Sequence, residues 1–162
     1  METSFFENTQ YKNKYTKKSL IIDISLRGNI INYNVVLPEE LKVDKFSEVF
    51  VDTVITNNIV VNTNINNLGM LLKVDQINTR TIGGDSSGSG TTKYNGRFFI
   101  PNEASVLTLK VHKGRKQNYL GTIEAGRYRN LDITLSDLNN SSIWMTDGTS
   151  KFIIELIIVE KE

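Results

Sequence analysis

The residues with the most suggestive chemistry lie in "TIGGDSSGSGTT", residues 81–92. Gly84-Asp85-Ser86-Ser87-Gly88 nearly spells the GDSGG that surrounds a serine-protease nucleophile. A nucleophilic serine needs a base held beside it in fixed geometry. The single histidine, His112, follows these serines in the chain. A chymotrypsin-like enzyme places His, then Asp, then Ser. Other triad orders exist, but no strand or helix pattern pins this loop. The same run also approaches a phosphate loop, which requires G-x-x-x-x-G-K-[ST] with a helix behind it. Here the lysine is displaced to Lys93, and "YNGRFFIP" after it reads as strand. Both spellings fail on their context. Four glycines with serines, threonines and no apolar anchor make a flexible inter-strand loop.

Other chemistry is sparse. His112 sits on the polar side of an alternating run, with no H-x-H or H-x-x-x-H spacing to hold a metal. With no cysteine, thiolate sites and disulfides are excluded. Asp132 with Asp137, or Asp75 with Asp85, would have to meet across a groove for glycosidase chemistry; turn and strand-face acids are the simpler reading. "HKGRKQNY" concentrates Lys113, Arg115 and Lys116 around Gly114. Three phosphate contacts are too few to hold nucleic acid without Lys110, Arg127 or Arg129, so a solvated hairpin tip or an acidic protein neighbour fits better. Trp144, in "SSIWMTDG", offers a ring to a sugar or a plug to a core. The sequons in "NNSS" at 139–142 lack a secretory signal to make them useful. These residues imply no catalytic centre, metal or cofactor.

The 162 residues suffice for one domain with a core. Only two alanines, Ala104 and Ala125, and three glutamines are present, so good helix formers are scarce. Isoleucine, valine and threonine, which favour strands, and asparagine, which favours turns, abound. Net charge is +1 but uneven. Residues 93–130 carry eight basic residues against two acidic, and residues 131–162 carry two against six. Such segments complement each other within one fold or between copies. No apolar run approaches the roughly 20 residues of a membrane helix, and the N-terminus lacks a signal-peptide pattern. A soluble protein, not secreted by the usual route, is expected.

Period-two alternation dominates the chain. Leu20, Ile22, Ile24 and Leu26 share one face; Ile31, Tyr33, Val35 and Leu37 share another, and "RGN" between them suggests a hairpin. Pro38 and the two glutamates after it are compatible with one helical turn. "SEVFVDTVITNN" sets Val49, Val51 and Ile55 against Phe50 and Val54, with Asp52 a candidate buried carboxylate. Met70, Leu72 and Val74 alternate with Lys73 and Asp75. "RFFIPNE" and "VLTLKVH" are short strands, "QNYLGTIEA" places Tyr119 with Ile123, and Leu131, Ile133 and Leu135 alternate with Asp132 and Thr134. In "FIIELIIVE", Phe152, Ile154, Leu156 and Ile158 face one way while Ile153, Ile157 and Val159 face the other. A strand apolar on both faces is central or covered by a partner. About nine strands with turn chemistry between them predict an all-β antiparallel β-sandwich over residues 19–162. Residues 1–18 read as an N-terminal arm. Its Phe5, Phe6, Tyr11 and Tyr15, set among lysines and polar residues, are expected to dock on a neighbour.

Several stretches taken together, "VDKFSEVFVDTVITNN", "NNLGMLLKVDQIN", "RFFIPNE", "VHKGRKQNYLGTI", "ITLSDLNN" and the terminal "FIIELIIVE", resemble small jelly-roll capsid proteins of large double-stranded DNA viruses of protists. These include minor capsid, penton and capsid-surface components. The resemblance covers roughly residues 41–159. It implies a single eight-stranded jelly roll, no catalytic residues, and a place in the virion after assembly in the host cytoplasm. It also implies other capsid proteins as partners and a homo-oligomer, pentamer or trimer. The contacts expected are the arm, the outward Ile153 and Ile157, and the basic turn. The alternative is a carbohydrate- or receptor-binding sandwich on a virion fibre or surface, with Trp144 against the glycan. Replacing residues 83–92 by a short Gly-Ser turn is expected to change the unfolding free energy by no more than about 1 kcal/mol. Denaturant titration checks this; loss of cooperative unfolding would place the segment inside the fold.

Overall fold

The computed structural model describes residues 15–27, 30–57, 69–82, 94–101, 118–142 and 150–161. Eight strands are named among them. They are β1 (Tyr15–Ser25), β2 (Asn32–Val43), β3 (Ser47–Asn57), β4 (Gly69–Val74), β5 (Phe98–Pro101), β6 (Asn118–Ile123), β7 (Gly126–Ser136) and β8 (Lys151–Lys161). They form two four-stranded sheets, ordered β1-β8-β3-β6 and β2-β7-β4-β5, in which every ladder is antiparallel. The fold is an all-β sandwich, and no helix long and apolar enough to cross a membrane occurs among the described residues.

Alternation sets which side chains meet between the sheets. From the first sheet come Ile22, Ile24, Val49, Val51, Val54, Leu120, Ile123, Phe152, Ile154, Leu156 and Ile158, all buried. From the second come Leu37, Val43, Met70, Leu72, Val74, Ile100, Leu131, Ile133 and Leu135. Each such side chain contributes about 1.5–3 kcal/mol on leaving water, which offsets the entropy of ordering the chain around it.

Four sequence expectations change. The stretches around "RGN" are not a hairpin: β1 pairs with β8 and β2 with β7, so the chain crosses from one sheet to the other there. Their apolar faces point at each other across the core, and alternation alone cannot distinguish that from side-by-side pairing. Pro38 opens no helical turn. It lies inside β2, at a register shift between Val36 and Leu41. β2 is an edge strand, where a residue with no N–H is tolerated. β3 does not keep one phase. A shift between Val51 and Thr53 leaves Asp52 extra, so Val54 turns inward and Ile55 outward, 43 % exposed. A second bulge sets Val49 against Gly121 and Phe50 against Tyr119, which passes over Leu120. Tyr119 therefore points outward and Ile123 inward, not to one face as the simple alternation has it. Last, the strand begins at Tyr15, so Tyr15, Thr16, Lys17 and Lys18 belong to β1 and not to the arm expected over residues 1–18. Polar edge-strand residues carry no hydrophobic signal to mark this start.

The sandwich is closed at its far edge by a backbone crossing. Ile77 is buried after the turn that follows β4, and Asn78 pairs with Thr122 of β6, through Asn78 N to Thr122 O at 2.7 Å and Thr122 N to Asn78 O at 3.2 Å. Gly121 permits the approach: a Cβ there would lie 2.5 Å from the Asn78 carbonyl oxygen. Leu72→Ala is expected to cost about 2–5 kcal/mol through the cavity it leaves. Gly121→Ala is expected to cost about 1–3 kcal/mol through overpacking against backbone. Guanidinium unfolding monitored by circular dichroism reads both.

Candidate functional site

The two outward faces of the sandwich differ in chemistry. On the β2-β7-β4-β5 sheet, polar side chains satisfy one another. Asn34 Nδ2 donates to Asp132 Oδ1 at 2.7 Å and Gln76 Nε2 to Asp132 Oδ2 at 3.1 Å, while Gln76 Oε1 accepts from Asp132 N at 3.0 Å. Thr134 donates to Asn32 at 2.9 Å, and Lys73 pairs with Asp75 at 2.7 Å. Asp137 caps a turn, accepting from Asn139 N and Ser141 N at 2.7 Å each. Asp132, Asp137 and Asp75 thus each hold a structural partner. Asp85 lies outside the described residues.

The outward face of β1-β8-β3-β6 is apolar at its centre. Cross-strand register aligns Ser19, Ile157, Phe50 and Tyr119 in one row over all four strands. Phe50 and Tyr119 meet edge to face, with ring centroids 5.7 Å apart and planes at 70°. The next rows along add Ile21 and then Ile153 with Ile55. Ile21 is 66 % exposed and Tyr119 52 %. A groove of about 400 Å³ opens here, lined by Lys17, Lys18, Ser19, Phe50, Asp52, Ile157 and Val159. Asp52 is half-buried at the groove, where its Oδ2 accepts from Thr53 Oγ1 at 3.1 Å. Polar groups frame the apolar centre. Ser19 donates to Glu155 at 2.6 Å, and Lys151 Nζ reaches both Asp23 oxygens at 3.0 and 3.2 Å.

At the end of the sandwich beside the groove, an ionic cluster joins the two sheets. Lys18 Nζ bonds Glu160 Oε1 at 2.5 Å and the Lys42 carbonyl oxygen at 2.5 Å, with Asp44 at 3.7 Å. Lys42 in turn pairs with Asp44 at 2.8 Å, and its hydrogen bond holds the Asp44 carboxyl below the ordinary value. Glu160 is a nearly buried acid, 7 % exposed, and Lys18 is its cation.

A second recess, of about 430 Å³, lies at the near edge between β1 and β2, among Asp23, Arg27, Ile30, Asn32, Tyr33 and their neighbours. Burial, foremost, raises the Tyr33 hydroxyl above its ordinary pKa, and the neutral group donates to the Ile30 carbonyl at 2.9 Å. It thereby ties down the crossing between the sheets.

Of the interface residues expected from sequence, Ile153 and Ile157 lie half-buried on the apolar outward face. Tyr15 is half-buried in the first pair of the β1–β8 ladder, opposite Lys161. Phe5, Phe6, Tyr11, His112, Lys113, Arg115, Lys116 and Trp144 lie outside the described residues, as does most of the glycine-serine loop. Tyr119 joins this face against simple alternation, because the bulge at Leu120 reassigns its side, and Asp52, a candidate buried carboxylate from sequence, is half-buried on it. Among the described residues no cluster of three or more His, Cys, Asp or Glu is placed to hold a metal. No protein-family model matches the chain, and a search of curated proteins finds no match.

Lys18→Ala removes the cation from a nearly buried carboxylate. It is expected to cost about 1–3 kcal/mol of stability. Glu160→Gln in the same background is expected to recover part of that loss, since it removes the stranded charge. Urea unfolding of the single and double variants at pH 7 measures both.

Proposed function

We propose that this protein is a structural subunit of a virus capsid, a single jelly roll that works by self-assembly and by docking on other capsid proteins. The observation that carries the reading is the strand order. In β1-β8-β3-β6 over β2-β7-β4-β5, each described strand but β5 lies in the other sheet from the described strand before it. That is the order in which a jelly roll wraps its chain, in keeping with the sequence resemblance over residues 41–159. The contrast between the outward faces adds support. One is mostly polar and bonded within itself, with Val36 and Phe99 exposed on it; the other offers aligned isoleucine, phenylalanine and tyrosine side chains of the kind that interfaces gather at their centres.

The function is geometric under this reading. Two packed sheets give a rigid block, and the apolar face, the N-terminal segment and the basic turn at 113–116 give it contacts. Copies related by a closed symmetry use the same patches repeatedly, so each patch contributes several times to one particle. A pentamer suits a vertex and a trimer a facet.

Light scattering on the purified protein tests the proposal. A discrete pentamer or trimer is expected, and Ile157→Lys is expected to shift it to monomer while the circular dichroism spectrum stays that of the parent. A chain that stays monomeric at every concentration, and that is absent by mass spectrometry from purified virus particles, would overturn the reading.

A further inference from the structure

We infer that the groove on the outward face of the β1-β8-β3-β6 sheet is a socket for the N-terminal segment, residues 1–14, of a second copy of this chain. The inference rests on the assembly reading above and names the two surfaces that meet. The groove is shaped for a side chain. It holds about 400 Å³ between Phe50, Ile157 and Val159, with Lys17 and Asp52 at its polar rim. A ring or two fill such a space while polar neighbours find partners of either sign. The segment supplies Phe5, Phe6 and Tyr11 within its fourteen residues, together with Glu7, Lys12 and Lys14. Tyr11 and Phe5 are six residues apart, about 20 Å when extended and on the same side of a strand. On the face, Val159 and Ile153 are six residues apart on the same side of β8, about 20 Å. A strand-like segment laid along β8 therefore brings Tyr11 to the groove and Phe5 close to Ile153 and Ile55.

The direction of the chain selects a second copy over the same one. Tyr15 is extended and forms the first pair of the β1–β8 ladder, opposite Lys161, at the end of the sheet. The groove begins at Lys17, behind that point. For Tyr11 to reach it in the same copy, the chain would have to reverse completely within the three residues Lys12-Asn13-Lys14, of which Asn13 alone favours a turn. No reversal is needed to continue onto a copy placed end to end. Fourteen extended residues span about 45–50 Å, enough to leave one subunit and cross the face of another. Because each copy gives a segment and receives one, the exchange closes into a ring where the rotation between copies closes.

The chain has no cysteine, so single introduced thiols report the contact cleanly. Full-length chains carrying Tyr11→Cys are mixed with full-length chains carrying Ile157→Cys, and separately with chains carrying Lys17→Cys, and oxidised mildly. Lys17 is exposed at the rim, so its variant serves if Ile157→Cys does not fold. Asn34→Cys, on the outward face of the other sheet, is the control. The expected result is a disulfide between the two different chains at Ile157 or Lys17, with at least tenfold less at Asn34. Equal crosslinking at Asn34 overturns the socket. So does a double variant, Tyr11→Cys with Lys17→Cys, that closes only within one chain. Oligomers that form without the crosslink overturn the segment exchange and leave the assembly reading standing. A strictly monomeric parent protein with no crosslink removes both.

Discussion

The structure depends on one constraint: β8 must bury both of its sides. Its inward row, Phe152, Ile154, Leu156 and Ile158, fills the centre of the sandwich, and its ladders to β1 on one side and β3 on the other fix the first sheet. Its outward row, Ile153, Glu155, Ile157 and Val159, is apolar but for Glu155, and no sheet packs over it among the described residues. Val159 is nonetheless 6 % exposed, whereas Ile153 and Ile157 are only half-covered. A strand must be central to shield both of its edges, and a second apolar side draws cover from elsewhere. The fold and the interface proposed for it thus grow from one run of residues.

The bulges are where the fold shapes that face. At Asp52 and again at Leu120, one extra residue passes without a partner, and the strand resumes on the opposite side. Without the first bulge Ile55 would point into the core and Val54 out. Without the second, Tyr119 would share the core side with Ile123 and could not meet Phe50 on the outside. The aromatic pair is a product of the second insertion, and the outward Ile55 of the first. Such features are typical of sheet positions that re-aim side chains toward a function.

The charges serve a different purpose at the end of the sandwich. Lys18 of β1 holds Glu160 of β8, its neighbour in the first sheet, and the carbonyl of Lys42 in the second. The contact therefore fastens the two sheets together where the apolar core runs out. It also fixes the start of β1, and with it the place from which the N-terminal segment departs. A nearly buried acid with one cation is costly to disturb from either side, which gives this end of the sheet a defined geometry.

Much of the fold was legible in the sequence. The inward rows of β1, β2, β4, β7 and β8 follow strict alternation, and a period of two has only one physical meaning when the alternate residues are isoleucine, leucine and valine. The scarcity of alanine and glutamine excluded helices for the same local reason. The outward Ile153 and Ile157 could be identified because a doubly apolar strand declares both faces. What tertiary structure alone decided is pairing and phase. Whether the stretches around "RGN" lie side by side or face to face depends on partners a hundred or more residues away, Ile154 for Ile22 and Ile133 for Tyr33. The sides taken by Val54, Ile55 and Tyr119 depend on bulges that are set by the register of neighbouring strands and leave no mark in composition. Alternation is a property of each strand by itself, whereas register is a property of two strands at once. The groove beside Phe50 and Ile157, which needs three strands in register, therefore came into view only with the assembled sheet.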